Sequence, residues 1–117
     1  MIRVILATSA LTALFALPAL AHTTLERVTP ESGSILPQSP EAITMTFGEP
    51  TRLTAVSVVA AGEERKLAFT PEDSATEFSV TAPALAPGRN EVQWRALSLD
   101  GHVVEGSVII VIKPPTP

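Results

Sequence analysis

The chain has 117 residues, carries a net charge of −4 and contains no cysteine. A length of this order accommodates one domain, and an acidic chain lacks the basic face that nucleic-acid binding requires. The absence of cysteine excludes disulfides, zinc ribbons, thiolate copper sites and iron–sulfur clusters. The sequence therefore predicts a single domain that is held together by packing alone.

The first 21 residues are typical of a secretory signal peptide. One arginine precedes an apolar run that ends at Pro18, and the triplet Ala-Leu-Ala at 19–21 places small residues at the −3 and −1 positions of a cleavage site. The run is shorter than the ~20 apolar residues that a membrane-spanning helix needs. We expect residues 1–21 to be removed and the mature chain, residues 22–117, to be exported to a bacterial periplasm.

The mature part of the chain has the pattern of β-strands separated by turns. Its prolines stand between apolar stretches at a spacing that helix interiors do not tolerate. Between them, apolar and polar residues alternate, as at 43–47 and 92–96, which is the pattern of a half-buried strand. Residues 107–113 are nearly all apolar and predict a central strand that is buried on both faces. Short, regularly spaced strands predict an all-β antiparallel sandwich or barrel of about six to eight strands.

Two histidines, His22 and His102, remain after the predicted cleavage site. As the first residue of the mature chain, His22 would offer both its α-amine and its imidazole to a metal ion, and an α-amine with a pKa of ~7.7–8.0 gives up its proton readily at neutral pH. Asp100 and His102 are two positions apart, so they face the same side of an extended segment, and Gly101 lets the backbone bend between them. Three nitrogens and one carboxylate oxygen form the tetragonal donor set that Cu(II) prefers. The sequence thus predicts one Cu(II) ion per chain, held by these three residues, and no catalytic residue.

Two other interpretations of the same residues remain open. An Asp-Gly-His triplet is often a turn in which the aspartate side chain accepts a hydrogen bond from the nearby backbone. In that case the protein could be an immunoglobulin-like binding module that needs no metal. Copper mono-oxygenases of polysaccharides also hold their metal with an N-terminal histidine and a second histidine. Against such an enzyme, the chain has no tyrosine, Trp94 is expected in the core, and Asp100 would fill the position that oxygen needs. We therefore predict that the protein is not an enzyme.

Four segments of the sequence carry a resemblance to a known family. They are His22, Pro-Glu-Ser-Gly-Ser at 30–34, Phe-Gly-Glu-Pro at 47–50 and, above all, Trp-Arg-Ala-Leu-Ser-Leu-Asp-Gly-His at 94–102. With these segments in this order, the chain resembles the CopC family of periplasmic copper-binding proteins over essentially the whole of residues 22–117.

The resemblance implies a small antiparallel Greek-key β-barrel, or immunoglobulin-like sandwich, that binds Cu(II) at one end. The ligands of the family fall on His22, Asp100 and His102, which are the residues reached above from coordination chemistry. The resemblance further implies that the protein sequesters or carries copper as part of copper resistance or homeostasis. Its expected partner is an inner-membrane protein of the CopD type, and the protein itself is expected to be a monomer. The methionine-rich loop that holds Cu(I) in some members has no counterpart in this sequence.

Overall fold

A computed structural model describes residues 25–70 and 74–115, and within them the chain forms seven β-strands and no helix. The strands are β1 (Leu25–Thr29), β2 (Ser34–Leu36), β3 (Ala42–Ala60), β4 (Glu63–Lys66), β5 (Ala75–Thr81), β6 (Gly88–Ser98) and β7 (Val103–Ile112). The predicted all-β fold and its number of strands are thereby confirmed. In the described part of the chain, no helix with the length and apolar character needed to cross a bilayer is found. The predicted signal peptide, its cleavage site and His22 lie outside the described residues.

The longest strand, β3, belongs to two parts of the sheet. Its first part, up to Phe47, pairs with β1 and β5. Thr51 pairs with both β5 and β6, and the rest of the strand pairs with β6 and, further along, with β4. The pairing changes partners across residues 48–50, which we call the switch segment. The sheet therefore runs in the order β1-β3-β6-β7-β2, with β4 and β5 added along β3. This curled sheet closes around one core, in the barrel or sandwich form that was expected.

One strand pair departs from the antiparallel pattern. The short strand β2 lies parallel to β7, with Ile35 beside Val111. The turn before β2 is fastened to the same strand, because Gly33 N donates to Ile109 O at 2.7 Å and Ile109 N donates to Ser32 Oγ at 3.1 Å. These bonds bring β2 alongside β7 from a loop rather than from a hairpin, so the pair is parallel.

The core lies between the alternating inward faces of the long strands. On β3, Ile43, Met45 and Phe47 are almost completely buried, as the alternation predicts. Trp94 on β6 is buried and meets the ring of Phe47 edge to face, with the ring centroids 5.3 Å apart.

The last strand, β7, is central in the sheet because it lies between β6 and β2. Its inward residues, Val108, Ile110 and Ile112, are buried, but Ile109 and Val111 between them are only partly buried. The burial on both faces that was predicted for 107–113 is therefore incomplete in the described part of the chain.

Candidate metal site

Asp100, Gly101 and His102 form the turn that joins β6 to β7. Gly101 N donates to Ser98 O at 3.0 Å, and Ser98 N donates to His102 O at 2.9 Å. These two backbone hydrogen bonds close the turn between the two strands. Gly101 has a φ of 87°, a left-handed conformation that costs glycine little and other residues more. The glycine therefore allows the chain to reverse within the few residues that separate the two side chains of interest.

The structure brings the side chains of Asp100 and His102 together. Asp100 Oδ2 lies 2.8 Å from His102 Nδ1, and both side chains reach solvent, with 37% of the aspartate and 62% of the histidine exposed. The predicted convergence is thus present, but a turn produces it and not the extended segment from which it was inferred. A carboxylate oxygen and an imidazole nitrogen face each other on an accessible turn.

The other carboxylate oxygen of Asp100 belongs to the turn. Asp100 Oδ1 accepts a hydrogen bond from the hydroxyl of Ser98 and a longer one, of 3.3 Å, from His102 N. The bond to His102 N is the one that the turn interpretation of the Asp-Gly-His triplet predicts. Oδ1 therefore holds the turn, whereas Oδ2 faces the imidazole.

These hydrogen bonds lower the pKa of Asp100 from its ordinary value of 3.8 to about 2. The bond donated by Ser98 is the largest cause, and the bond with the His102 side chain is the second. Both stabilise the charged carboxylate, so Asp100 is an anion at neutral pH. An ionised carboxylate is the form that binds a metal ion.

The turn lies beside the switch segment of β3. Ser98 pairs with Thr51, the first residue after the switch segment, and both residues are buried. Leu25, the first described residue, pairs with Phe47, the last residue before the switch segment. The start of β1 and the turn that carries Asp100 therefore flank the same short stretch of β3. His22, the third predicted ligand, precedes Leu25 by three positions and lies outside the described residues.

Within 25–70 and 74–115, no group of three or more His, Cys, Asp or Glu side chains that could hold a metal ion is found. Asp100 and His102 would supply one carboxylate oxygen and one imidazole nitrogen to the predicted site. The remaining donors that the sequence predicts, an amine and an imidazole, both belong to His22.

Sequence reasoning missed Ser98 in this arrangement. Its hydroxyl contacts Asp100 and both backbone groups of His102, and it is nearly buried. A signal was available, because a short hydroxyl side chain just before a turn commonly bonds the backbone a few residues on. That signal is too frequent in loops to single out one serine.

The comparisons with known protein families and with solved structures agree on one family. A family model described as the CopC domain matches residues 25–112. The fold is similar to the crystal structure of CopC from Methylosinus trichosporium OB3b, with a TM-score of 0.70 and 28% identity, covering 82% of this chain and 98% of that one. No curated protein matches the sequence.

Two structures of PcoC from Escherichia coli, a protein described as a methionine-rich copper resistance protein, are also similar. One has a TM-score of 0.57 and 24% identity and covers 80% of this chain and 100% of that one. The other, a selenomethionine form, has a TM-score of 0.55 and 22% identity and covers 77% and 99%. At this level of identity the two structures support the likeness of fold alone.

Proposed function

The chain belongs to the CopC family, and from this premise we propose that it is a periplasmic copper-binding protein. It holds one Cu(II) ion through the amine and imidazole of His22, the carboxylate of Asp100 and the imidazole of His102. The observation that carries the proposal is the distance of 2.8 Å between Asp100 Oδ2 and His102 Nδ1 on an exposed turn.

The distance between these two atoms suits adjacent ligands of one metal ion. Two donor atoms that are each about 2.0 Å from a metal and subtend a right angle at it are about 2.8 Å apart. The observed separation of Oδ2 and Nδ1 equals this value. A metal ion can therefore bind both atoms with little movement of either side chain.

The course of the chain also favours His22 as the remaining ligand. The three steps from residue 22 to residue 25 span at most about 10 Å when extended. Leu25 lies on one side of the switch segment and Ser98 on the other. A mature chain that begins at residue 22 is therefore long enough to reach the turn that carries Asp100 and His102.

The donor set decides which metal ion fits. Three nitrogens with one carboxylate oxygen suit Cu(II) in a tetragonal arrangement, whereas Cu(I) prefers sulfur ligands. The sequence has no cysteine, and Met45, the single methionine after residue 21, is fully buried in the core. The site therefore selects the oxidised ion.

The exposed position of the pair suits a carrier that binds and releases its ion. Leu99 and Val103, on either side of the pair, are 67% and 59% exposed. Apolar side chains at the rim of a metal site offer a contact to a protein that receives the ion. An inner-membrane partner of the CopD type is the proposed recipient, and the protein itself carries out no reaction.

The experiment that tests this function compares two forms of the protein that differ at one end. One begins at His22, as the predicted cleavage would leave it, and the other carries an acetyl group on the α-amine of His22. The acetyl group converts the amine into an amide, which is a poor metal ligand at neutral pH when no free amine lies beside it. We expect Cu(II) affinity, measured by competition with a chelator, to fall by more than the roughly 10–100-fold that loss of an outer-shell partner costs.

The matched control is the metal-free melting temperature, which the acetyl group should leave unchanged because it precedes β1. Equal Cu(II) affinity of the two forms would show that the amine of His22 is not a ligand. An electron paramagnetic resonance spectrum without nitrogen couplings after Cu(II) loading would favour a metal-independent binding module instead. Oxygen consumption in the presence of a reductant is expected to be absent, and its detection would favour an oxygenase.

A further inference from the structure

We propose that Ser98 is a positioning residue, which fixes Asp100 and His102 in the relative orientation in which they receive the metal ion. This inference rests on the proposed function, because it assigns a role within the same site. It concerns a residue that does not itself touch the ion.

Ser98 contributes its backbone and its side chain to the turn. Its N–H donates to His102 O, and its C=O accepts from Gly101 N. Its hydroxyl is hydrogen-bonded to Asp100 Oδ1 and lies 3.2 Å from His102 N and 3.1 Å from His102 O. The hydroxyl therefore links the aspartate side chain to the histidine backbone through hydrogen bonds.

The single proton of the hydroxyl decides how these contacts are shared. A serine hydroxyl donates one hydrogen bond and accepts up to two. The carboxylate of Asp100 is the stronger acceptor because it is charged, so the proton goes to Oδ1, and a lone pair accepts from His102 N. With Oδ1 held in this way, the rotation of the carboxyl group is restricted and Oδ2 is left facing His102 Nδ1.

Ser98 is more deeply buried than Asp100 and His102. It is 5% exposed and pairs with Thr51, which is 0% exposed. Asp100 and His102 are considerably more exposed, and exposed side chains at the tip of a turn lose rotamer freedom when they bind a metal. A buried hydroxyl that has already ordered the pair lowers this entropic cost, which increases the affinity for the ion.

The backbone of the turn does not depend on the hydroxyl. The bonds from Ser98 N to His102 O and from Gly101 N to Ser98 O remain when the side chain is shortened to alanine. The variant Ser98→Ala therefore removes the link between Asp100 and His102 while leaving the hairpin connection in place. Ser98→Thr keeps a hydroxyl on a strand position, and Ser107→Ala on the exposed face of β7 is the matched control.

The test measures Cu(II) affinity and, separately, how well the turn is ordered in the metal-free protein. In Ser98→Ala, we expect Cu(II) affinity to fall by roughly 10–100-fold, the range found for outer-shell partners, with altered electron paramagnetic resonance parameters. Ser98→Thr should restore both, and Ser107→Ala should change neither. In the metal-free protein, Ser98→Ala should accelerate hydrogen exchange of the His102 amide and broaden the rotamer distribution of Asp100, as followed by NMR.

The inference is overturned if Ser98→Ala binds Cu(II) within twofold of the unaltered protein and gives the same spectrum. It is also overturned if a folded Ser98→Thr, verified by its melting temperature, behaves like Ser98→Ala. An unaltered protein that begins at His22 and fails to bind Cu(II) would contradict the proposed function instead. The metal-free NMR comparison then still decides whether Ser98 orders the pair, and an unchanged Asp100 rotamer distribution would refute that.

Discussion

The indole ring of Trp94 lies against the backbone of Gly106, its partner across the β6–β7 ladder. A Cβ atom built on Gly106 would be 2.7 Å from Cζ2 and 2.9 Å from Nε1 of the ring. Both distances are shorter than any ordinary van der Waals contact, and the ring is wedged against Phe47 on another side. Glycine at 106 is therefore what allows the single tryptophan of the chain to occupy the core at this point.

Gly106→Ala should destabilise the protein by about 1–3 kcal/mol, because the ring would have to shift away from the added methyl group and overpacked cores lose about this much. Urea denaturation, followed by circular dichroism, measures the loss. Gly48→Ala is the matched control, since its Cβ would meet the flexible end of the exposed Glu26 side chain at 3.1 Å, which can move aside. Equal losses at the two positions would contradict the close approach to Trp94.

Ala84→Gly should stabilise the protein. Ala84 has a φ of 49°, in the left-handed region, and its side chain is exposed, so nothing is lost by removing the methyl group. The left-handed conformation costs an L-residue about 1–2 kcal/mol, which exceeds the ~0.4–1 kcal/mol of unfolded-state entropy that glycine adds. We expect a net gain of about 0.5–1 kcal/mol in the free energy of unfolding.

The control for that substitution lies two residues further on in the same loop. Ala86 is also exposed but is not among the residues with positive φ. Ala86→Gly should therefore destabilise the protein by about 0.4–1 kcal/mol. If both substitutions shift stability in the same direction, the strain at Ala84 is not what determines the result.

The carboxyl group of Asp100 should titrate with a pKa of about 2 in the metal-free protein, and Ser98→Ala should raise that pKa toward 3.8. Because the pKa in the folded protein lies below its ordinary value, ionised Asp100 favours the folded state above about pH 4. This contribution is lost as the pH falls from about 4 to 2. Carbon NMR of the carboxyl group measures the pKa, and Ser107→Ala should leave it unchanged. A pKa that stays near 2 in Ser98→Ala would show that the hydroxyl is not its main cause.

Cu(II) should raise the melting temperature of the protein that begins at His22. A ligand that binds the folded state alone, at a free concentration of about 100 times its Kd, adds about 2.7 kcal/mol to the free energy of unfolding. For a domain of about 100 residues this corresponds to a shift of roughly 10–20 °C. His102→Ala should abolish the shift while changing the metal-free melting temperature little, because the side chain is largely exposed. A shift that persists in His102→Ala would place the ion elsewhere.

Much of the site could be read from the sequence because its signals are local. Asp100 and His102 are two residues apart with a glycine between them, and the structure brings their side chains within 2.8 Å of each other. Their role as ligands, and that of His22, remains a prediction. Ser98 could not be recognised in the same way, because its hydroxyl matters only through burial against Thr51, and that depends on how a distant strand pairs.

The sequence by itself determined the all-β class, the inward faces of β3 and β6 and the family, because alternation, turn residues and motifs are properties of neighbouring residues. Tertiary structure alone decided which strands meet: the change of partners across the switch segment, the parallel pairing of β2 with β7 and the close approach of Trp94 to Gly106. Each of these depends on contacts between residues far apart in the chain, and local sequence patterns do not specify such contacts.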